Sequence, residues 1–480
     1  MAERADVIII GAGMAGISAA YALREDRPDL RIILLEGRFR MGGRIHTITM
    51  DEGGPNETEV DLGAAWLQNP DQNPLSQFLV DVKKCNTPIS SNAVFVEHQG
   101  VKSGEQLSEP EIEALNETAH EWVTDAIKSY TEEETQDDAA SNIIELLPQL
   151  TQSNIMVANR HDRLAAMLLR ATIENYLASS IEQVADFGLD DANNAREPQS
   201  LLQDGFGIAI ERMSKRLDVR LNNVVTLIQA LGEDLGVLIT AQSGALYWAQ
   251  KVIVTLPLGV LKIGSVEFMP PLPTSKLEAI SRIGFGVVDK VVLRFPRVFW
   301  NEDRHFITYL STDRSLVNVF LNLAASTKRG NQTKQEDDII SGHHVGGVPI
   351  LVGFHSGVFA MDNEYLSEEK LVQKAMEPLR KMYGYDIPEP VEVYTTRWGL
   401  DPMSLGSYSA PHVIRDARRV DEDMEPFTKL SKQIGTSIYF AGESTSRGSG
   451  FVHGAFTSGA RAASEVQMDG IESIENIRPV

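Results

Sequence analysis

The chain has 480 residues, more than one hydrophobic core usually serves, and this length predicts two domains or one domain with a large insertion. Its 42% hydrophobic and 23% charged residues are ordinary for a globular protein, and no apolar run approaches the length of a membrane span. The formal net charge of −23 argues against nucleic acid as a partner, because neutralising phosphates requires a basic face.

Cysteine usage and targeting signals narrow the protein's class further. Cys85 is the single cysteine, so neither an intramolecular disulfide nor a cysteine-based metal site is expected. Sequons at Asn56, Asn116 and Asn331 matter only in a secreted protein. The apolar run at residues 7–10 is short and leads into glycines, which is typical of a strand rather than a signal peptide. We expect a cytoplasmic protein without membrane contact, or a secreted one if a signal peptide has been removed.

The N-terminal segment predicts a nucleotide-binding strand, turn, helix and strand. DVIII is a short apolar run typical of a buried strand, GAGMAG follows it, and LRIILLE ends at Glu36. Gly11 makes the tight turn, Gly13 admits a pyrophosphate to the backbone, and Gly16 lets the helix pack on the strand. The helix N-terminus then faces the phosphates, and Glu36 is placed for a ribose hydroxyl. This pattern predicts a bound dinucleotide without separating NAD from FAD.

The later segments predict a helical insertion between two groups of strands. From about residue 88 to 194, acidic, alanine-containing stretches have helical periodicity. VVTLIQAL, LGVLITAQ and ALYWAQKVIVTL then predict strands, as do KVVLRFPRVFW and ILVGFHSG. SEEKLVQKAMEPLRKMY predicts a helix, and the polar stretch 328–347 predicts a surface loop. The C-terminal SIYFAGESTSRGSGFVHGAFTSGARAASEV predicts a strand, a glycine-rich turn and a helix of small residues.

A second glycine cluster follows the acid at the end of the second strand. In EGRFRMGGR, Arg44 comes after two glycines and can reach a phosphate unobstructed. With this cluster, the stretches GAGMAGISAAYAL, DLGAAWLQ, VIVTLPLGVL, TRWGLDPMSLGSYS and IYFAGESTSRGSGFVHGAFTSGARAA resemble the flavin amine oxidase family, in the family's order. The resemblance spans nearly the whole chain, and within the family the chain looks most like the polyamine oxidases.

The resemblance implies an α/β fold with two domains. One is a discontinuous Rossmann-like FAD-binding domain of the glutathione-reductase-like type, and the other is an α+β substrate domain of mixed sheet flanked by helices. We expect the first at residues 1–80, 200–270 and 392–470, the second at 81–199 and 271–391, and a tail at 471–480. FAD should bind non-covalently, because Cys85 lies far from any flavin motif. The implied partners are a small cationic amine and O2, and the expected assembly is a monomer or homodimer without a bound metal.

The family's cofactor-binding positions carry over to residues throughout this chain. The carry-over places Glu36 at the adenosine ribose, Arg38 and Arg44 near the pyrophosphate, and Val225 at the adenine. The full set is Gly11, Gly13, Gly16, Glu36, Arg38, Gly43, Arg44, Gly63, Ala64, Ala65, Trp66, Val225, Trp398, Gly442, Glu443, Phe451 and Val452. Of these, residues 63–66 would line the flavin, Glu443 would hold the ribityl chain or phosphates, and Phe451 and Val452 would lie at the isoalloxazine.

Lys290 is the leading catalytic candidate. It matches the family's active-site lysine, which bridges through water to the flavin N5 atom. It lies within an otherwise apolar strand, where a buried lysine is rare unless it is paired or functional. The alternative is a lysine on an edge strand that faces solvent. Trp398 matches a tryptophan near the flavin, or it is a core tryptophan.

Several further positions are predicted at the substrate pocket. Phe451 occupies one wall of the family's aromatic cage, where tyrosine is common, and the other wall falls near Met403 or Tyr408. Gln68 stands just after the GAxW motif, where some polyamine oxidases have an acid. His46, after GGRI, is either an active-site residue or a core histidine.

Two acids of the helical insertion are candidates for substrate contacts. Glu182 and Asp186 stand at helical i, i+4 spacing, so one helix face would carry both. They either supply acid to the pocket or form a solvated face.

The resemblance implies that a hydride equivalent leaves the carbon beside an amine, that the imine hydrolyses and that O2 becomes peroxide. Spermine, spermidine or their acetylated forms are the expected substrates. An L-amino-acid oxidase, whose carboxylate clamp would be Arg294 or Arg397, stays open, as does a biosynthetic amine oxidase acting on an alkaloid or peptide precursor. A non-catalytic flavin-fold binding module is the alternative of another class, and Lys290 argues against it.

Overall fold

The structure is a computed structural model that describes most of the chain. The described residues are 2–55, 57–79, 86–88, 92–97, 104–132, 143–183, 199–202, 204–232, 235–325, 348–410, 425–446, 450–471 and 473. Asn56, Cys85, Asp186, Asn331 and the predicted loop 328–347 lie outside them.

Strands occur along the whole described chain. In chain order they are β1 (Glu3–Ile10), β2 (Ile32–Leu35), β3 (Thr47–Met50), β4 (Thr58–Asp61), β5 (Trp66–Gln68), β6 (Asn86–Pro88), β7 (Asn92–Val96), β8 (Glu105–Gln106), β9 (Gln199–Leu202), β10 (Asp218–Arg220), β11 (Val225–Ala230), β12 (Val237–Ala241), β13 (Leu246–Val254), β14 (Glu267–Met269), β15 (Gly284–Gly286), β16 (Val288–Arg294), β17 (Phe306–Leu310), β18 (Val319–Asn322), β19 (Ile350–Ser356), β20 (Glu392–Thr395), β21 (Tyr408–Ala410) and β22 (Ile438–Phe440).

Helices separate these groups of strands. They are α1 (Met14–Asp26), α2 (Glu109–Glu132), α3 (Ile143–Leu146), α4 (Gln152–Val157), α5 (Arg160–Leu177), α6 (Gly207–Ser214), α7 (Leu258–Ile263), α8 (Thr274–Arg282), α9 (Gly357–Asn363), α10 (Glu368–Tyr383), α11 (Glu425–Ser431) and α12 (Val452–Met468). Helices α2 to α5 fall in the stretch where the sequence predicts a helical insertion. Among the described helices, none combines the length and apolar character that a membrane crossing requires.

The first large sheet carries the dinucleotide-binding motif. Its order is β10-β2-β1-β13-β12-β11-β14, and β22 pairs with the C-terminal half of β13. Strands β10, β2, β1, β13 and β22 are parallel, and the centre of β1 is buried on both faces, as is typical of a parallel sheet covered on both sides. Helices α1 and α12 pack together on one face, where Gly459 brings the two backbones close.

The second large sheet is mixed and lies beside helices of the insertion. Its order is β20-β16-β19-β18-β17-β7-β8, with β17 and β7 parallel and the other pairs antiparallel. The apolar side of α10 covers part of it, through buried residues such as Leu371, Ala375 and Leu379. The architecture agrees with the predicted α/β class and its mixed second sheet.

One predicted domain limit differs from the strand pairing. The sequence assigned residues from 392 onward to the FAD-binding domain, but β20 pairs with β16 of the second sheet. The reason is a continuous ladder from Arg294↔Glu392 to Val291↔Thr395, which no local sequence signal marks. The other limits stay a prediction.

Candidate active site

The glycine turn after β1 leaves bare backbone at the start of α1. Gly11 has φ +105°, and the Thr255 hydroxyl donates to the Ile10 carbonyl at 2.8 Å beneath it. A Cβ at Gly16 would lie 1.9 Å from the Gly11 carbonyl oxygen, whereas one at Gly13 would meet only the Gly42 oxygen at 3.8 Å. Gly13 caps α1 without a side-chain hydrogen bond. Helix N–H groups therefore point into a cavity, as phosphate binding requires.

Gly16 allows close backbone packing and Gly13 leaves space for a ligand, so alanine at these two positions should have different effects. Gly16→Ala is expected to lower the free energy of unfolding by about 1–3 kcal/mol, because its Cβ would meet backbone that closes the turn. A contact of 1.9 Å with backbone belongs at the upper end of this range, and there the cost exceeds the ~1 kcal/mol by which alanine is favoured over glycine in a helix. Gly13→Ala should fold normally but retain less FAD. Thermal unfolding and flavin content of both variants check this, and equal unfolding temperatures would contradict it.

Glu36 is fixed in place at the end of β2. Its side chain is 6% exposed, Oε2 accepts a hydrogen bond from the Ala12 N–H and Oε1 accepts one from the Arg38 N–H, each at 2.8 Å. The carboxylate lines the cavity. It therefore ties the glycine turn to the second strand while keeping oxygen atoms available to a ligand.

The two predicted arginines are anchored to later parts of the chain. Arg38 pairs with Asp401 at 2.6 Å, and Arg44 pairs with Glu443 at 2.9 Å. Between them, Gly42 and Gly43 have φ +95° and +61°, so the second glycine cluster requires a backbone that other residues rarely adopt. These ion pairs bring both ends of the chain to one wall of the cavity.

Glu443 is the central residue of the C-terminal segment that lines the cavity. It is buried and accepts hydrogen bonds from the Ser409 hydroxyl and from the Gly450 N–H. Beside it, Gly442 has φ +135°, and a Cβ there would meet no atom within 4 Å. The glycine therefore faces open space in the cavity.

These groups line one cavity of about 760 Å³. Its cofactor end is formed by the two glycine clusters, Glu36, Arg38 and Val225, and its amine end surrounds Lys290. The cofactor end fits FAD, because the space next to Gly13 and Gly442 is free of side chains and the helix N–H groups face it. The residues present would hold the dinucleotide along the glycine turns and the flavin near residues 63–66.

Lys290 lies at the amine end and is not on an edge strand. Strand β16 has β20 on one side and β19 on the other, so the alternative of an edge lysine is wrong. The side chain is 6% exposed, and Nζ donates to the carbonyls of Asp61 at 2.7 Å and Gly63 at 2.6 Å. Burial lowers the pKa of Lys290 to about 8, against the raising effect of the Asp61 carboxylate. The amine can therefore exist in both protonation states near neutral pH.

Aromatic rings form the wall around this lysine. The Trp66 ring lies 6.0 Å from the Phe306 ring and 6.5 Å from the Phe354 ring, and Lys290 Nζ lies 5.6 Å from the Phe354 centroid. The Trp398 indole is buried, and its Nε1–H points to the Leu62 carbonyl at 3.4 Å. All of these rings line the cavity.

The structure separates the two residues predicted for the second wall of the cage, Met403 and Tyr408, although both line the cavity. Met403 lies at the cofactor end, where a Cβ at Gly37 would be 2.8 Å from its sulfur, so its placement as a cage wall is wrong. The reason is the turn that Asp401 closes, since its carboxylate accepts from the Met403 N–H and pairs with Arg38. A Cβ at Gly450, the residue before Phe451, would lie 3.3 Å from the Tyr408 ring.

Sequence reasoning missed the aromatic ring beside Phe451. The Tyr176 ring, at the end of α5, lies 6.3 Å from the Phe451 ring, and both line the cavity. The Tyr408 hydroxyl donates to the Tyr176 carbonyl at 2.9 Å and fixes this end of the helix. No local pattern in the helical insertion marks Tyr176.

Two predicted pocket residues lie elsewhere. His46 does not line the cavity, and burial, followed by the charges of Arg40 and Arg38, lowers its pKa to about 4. Glu182 lies in the single 3-10 turn Ile181–Gln183 and pairs with Arg170 and Arg314 instead of facing the cavity. The predicted helix face with Asp186 is not tested, because Asp186 lies outside the described residues.

Gln68 lines the amine end, among other uncharged polar groups. The polar residues that line the cavity include Gln68, Asn92, Thr172, Asn175, Tyr176, Thr308 and Tyr408, all of them uncharged. Apolar residues such as Leu168 and Val319 fill the spaces between them. This end can therefore hold an apolar chain with polar, uncharged groups.

Comparison with known proteins places this geometry among flavin enzymes. The family model described as flavin containing amine oxidoreductase matches residues 14–467. The chain is 31% identical over 472 residues to polyamine oxidase 4 of Oryza sativa subsp. japonica, covering 96% of this chain and 88% of that protein. It is 29% identical over 483 residues to polyamine oxidase 2 of Arabidopsis thaliana, covering 97% and 89%.

A histone demethylase homologue and a solved structure complete the comparison. The chain is 29% identical to lysine-specific histone demethylase 1 homolog 2 of Oryza sativa subsp. japonica, covering 96% of this chain and 57% of that protein. The structure of wild-type putrescine oxidase bound to putrescine aligns with a TM-score of 0.70 at 20% identity, over 97% of this chain and 99% of that one. That alignment confirms the predicted fold class.

Proposed function

The chain belongs to the flavin containing amine oxidoreductase family, and we propose that it acts as a polyamine oxidase on spermine, spermidine or their acetylated forms. The family membership makes it an FAD-dependent amine oxidase. FAD, when bound, accepts a hydride equivalent from the carbon beside the amine nitrogen and is reoxidised by O2, which becomes H2O2, while the imine hydrolyses to aldehyde and amine. The relatives named polyamine oxidase support the substrate class.

The observation that carries the proposal is the setting of Lys290. Its Nζ is held by two carbonyls at the amine end of the cavity, beside the backbone of Gly63. A lysine whose pKa is lowered to about 8 by burial can hold a water molecule and exchange a proton with it near neutral pH. We assign Lys290 this role, in line with the lysine of the family.

The walls of the amine end suit an amine that must lose its charge before it reacts. Trp66, Phe306 and Phe354 attract a cationic amine through their ring faces. Burial among these rings disfavours the ammonium form, so the bound amine is more readily deprotonated. The chain thus orients the amine and assists its deprotonation.

An L-amino-acid oxidase needs a cation that clamps the substrate carboxylate, and the two arginines predicted for this role are engaged elsewhere. Arg294 pairs with Glu392 at 2.7 Å and with Asp51 at 3.3 Å. Arg397 donates to the carbonyls of Glu364 and Leu366. Neither arginine lines the cavity, so neither is placed to clamp a carboxylate.

A biosynthetic amine oxidase is the second candidate, and the uncharged lining at Gln68 favours it. Polyamines carry several positive charges, which carboxylates would balance. At the amine end, the described lining residues hold amides and hydroxyls instead. A substrate with one amine and uncharged polar groups would match this lining as well as an acetylated polyamine does.

Anaerobic stopped-flow of the purified holoenzyme tests the proposal. Flavin absorbance would be followed with spermine, spermidine, N-acetylspermine, a monoamine and several L-amino acids. We expect fast bleaching with polyamines or their acetylated forms and none with amino acids.

The other outcomes separate the alternatives. Bleaching by monoamines or amino acids alone would overturn the proposed substrate class, and bleaching by none of them would favour a specialised substrate or a binding role. A Gln68→Glu variant sharpens the test, since an added carboxylate should lower the KM for spermine more than that for N-acetylspermine.

A further inference from the structure

Two buried carboxyl groups lie directly behind the wall of the amine end. Asp289 precedes Lys290 on β16 and is 0% exposed, and Glu364 follows α9 and is 2% exposed. They accept hydrogen bonds from consecutive main-chain N–H groups, Asp289 from that of Trp398 and Glu364 from that of Gly399, and this brings the two carboxyl groups close together. Neither lines the cavity, and neither has a part in the reaction as described above.

The donors around Asp289 leave one of its oxygens for a proton. Oδ1 accepts from the Thr396 hydroxyl at 2.7 Å and from the Trp398 N–H at 2.9 Å. Oδ2 is buried, and within the described part of the chain no N–H or hydroxyl group donates to it. The Glu364 carboxyl is the neighbouring group that could donate, if it carries a proton. A carboxylate oxygen accepts only, so a neighbouring carboxyl group can bond to Oδ2 only if it carries a proton.

Glu364 reaches the same loop from the other side. Its Oε1 accepts from the Gly399 N–H at 2.6 Å, and a Cβ at Gly399 would lie 2.6 Å from Oε2. Consecutive backbone N–H groups, of Trp398 and Gly399, are thus held by the two carboxyl groups. Glycine at 399 is what allows the carboxyl to approach so closely.

We propose that Asp289 and Glu364 share one proton and that this pair is a positioning device, which holds the backbone of Trp398 and Gly399 and thereby sets the Trp398 ring in the wall of the amine end. With both groups ionised, two negative charges would meet in a site closed to water, and the loop would be released. The significance of Trp398 in catalysis rests on the proposed function, whereas the shared proton does not.

The charged groups around the pair do not replace this proton. His355 is the neighbour of Asp289 on β19, and burial lowers the pKa of His355 to about 4, so it is neutral at pH 7. Lys290 donates to carbonyls on the cavity side, and Arg397 donates to the main-chain carbonyl of Glu364. The charge of Lys374 helps to lower the pKa of His355, and its Nζ donates to the Ser315 carbonyl.

The raised pKa of Glu364 agrees with this geometry. Burial, then the charge of Asp289 and the hydrogen bond between them, raise it from its usual 4.5 to about 8. The folded chain therefore keeps a proton that the unfolded chain releases between these values. Stability accordingly falls as pH rises from about 4.5 to about 8, and it has no further slope from this group above that.

Infrared spectroscopy of the holoenzyme tests the shared proton directly. We expect the difference between spectra at pH 7 and pH 9 to contain the carbonyl stretch of a protonated carboxylic acid, shifted in D2O, which disappears as pH passes about 8. Asp61, whose pKa burial raises to about 6, is mostly ionised at both pH values. Glu364→Gln should remove this band, because the amide supplies a permanent N–H to Asp289. Glu368→Gln, beside the neighbouring Thr395, is the matched control and should keep it. Absence of the band in wild type, or its persistence in Glu364→Gln, would overturn the proposal.

Two further measurements test whether the proton is shared between the two carboxyl groups or held by one buried acid alone. Asp289→Asn removes the neighbouring charge, so the band should titrate at lower pH, and an unchanged midpoint would contradict the pairing. Wild type should also show a change of flavin absorbance near pH 8, as the Trp398 ring shifts, and this change should be smaller in Glu364→Gln, where Lys290 still titrates but the pair does not. Lys290 titrates in the same range, but it has no carboxyl band, so the infrared result is independent of it and of the substrate.

Discussion

Lys290→Met is expected to lower amine-dependent turnover by about 10²- to 10⁴-fold, the range typical of losing a positioned proton-transfer group. Among the described residues that line the amine end, Lys290 carries the titratable amine, and its two carbonyl bonds fix where that amine lies. Methionine keeps the length and the apolar character of the side chain. The loss should appear in stopped-flow flavin reduction or reoxidation and in steady-state turnover, at normal flavin content.

The variant is expected to fold, which makes its kinetics interpretable. The lowering of the pKa of Lys290 from 10.5 to about 8 means that burying the ammonium costs about 3 kcal/mol at pH 7, and methionine removes this cost. Two carbonyls then lose their donor, which costs about 1–3 kcal/mol each. These effects largely offset each other, so stability should change little.

Lys276→Met is the matched control for this experiment. Lys276 is also buried, donates to the carbonyls of Leu430 and Lys432, and has its pKa lowered to about 7 by burial, but it does not line the cavity. Its replacement should alter stability and leave the rate of flavin reduction unchanged. A loss of less than tenfold in Lys290→Met, or an equal loss in Lys276→Met, would show that Lys290 has a structural role only.

The cofactor end could be predicted from the sequence because its geometry is local. Gly11, Gly13 and Gly16 act within one turn, and Glu36 follows at the end of the next strand. Each requirement, a positive φ, a close approach or an acceptor for N–H groups, is met by residue type and spacing alone. The structure therefore places these residues together around one cavity, apart from Gly16, which serves the turn.

The amine end could not be predicted in the same way, because it is assembled from distant segments. Tyr176 comes to Phe451 from the end of a helix in the insertion. Met403 lies five residues before Tyr408, which begins β21, and the turn at Asp401, paired with Arg38, holds Met403 at the cofactor end. Composition and periodicity carry no record of such long-range contacts.

The pair behind Trp398 illustrates the same limit for buried charge. Asp289 stands next to Lys290 in a strand that is mainly apolar, and Glu364 follows a short helix. Each reads in the sequence as an ordinary surface acid, because buried acids are rare unless paired. The pairing becomes visible only when β16 and the end of α9 are brought together.

Glu36→Gln is expected to weaken FAD binding by roughly 10²-fold. The carboxylate accepts from the N–H groups of Ala12 and Arg38 through separate oxygens, and an amide has one oxygen only. Its NH2 group would face one of these N–H groups, so a charge-assisted bond worth about 1.5–3 kcal/mol is lost and a buried N–H is left unpaired. A loss of about 3 kcal/mol corresponds to the stated factor. Flavin fluorescence on titration of the apoprotein measures it.

The control for this variant separates loss of the cofactor from loss of the fold. Glu59→Gln changes an acid on β4 that accepts from the Thr49 hydroxyl and does not line the cavity, so FAD should bind it as it binds wild type. In the absence of FAD, Glu36→Gln should unfold at a lower temperature than wild type, because the glycine turn loses an anchor. With FAD at equal concentration, the difference in unfolding temperature should widen, since a ligand stabilises the folded chain more when it binds more tightly. An unchanged difference would mean that Glu36 supports the turn without touching the dinucleotide.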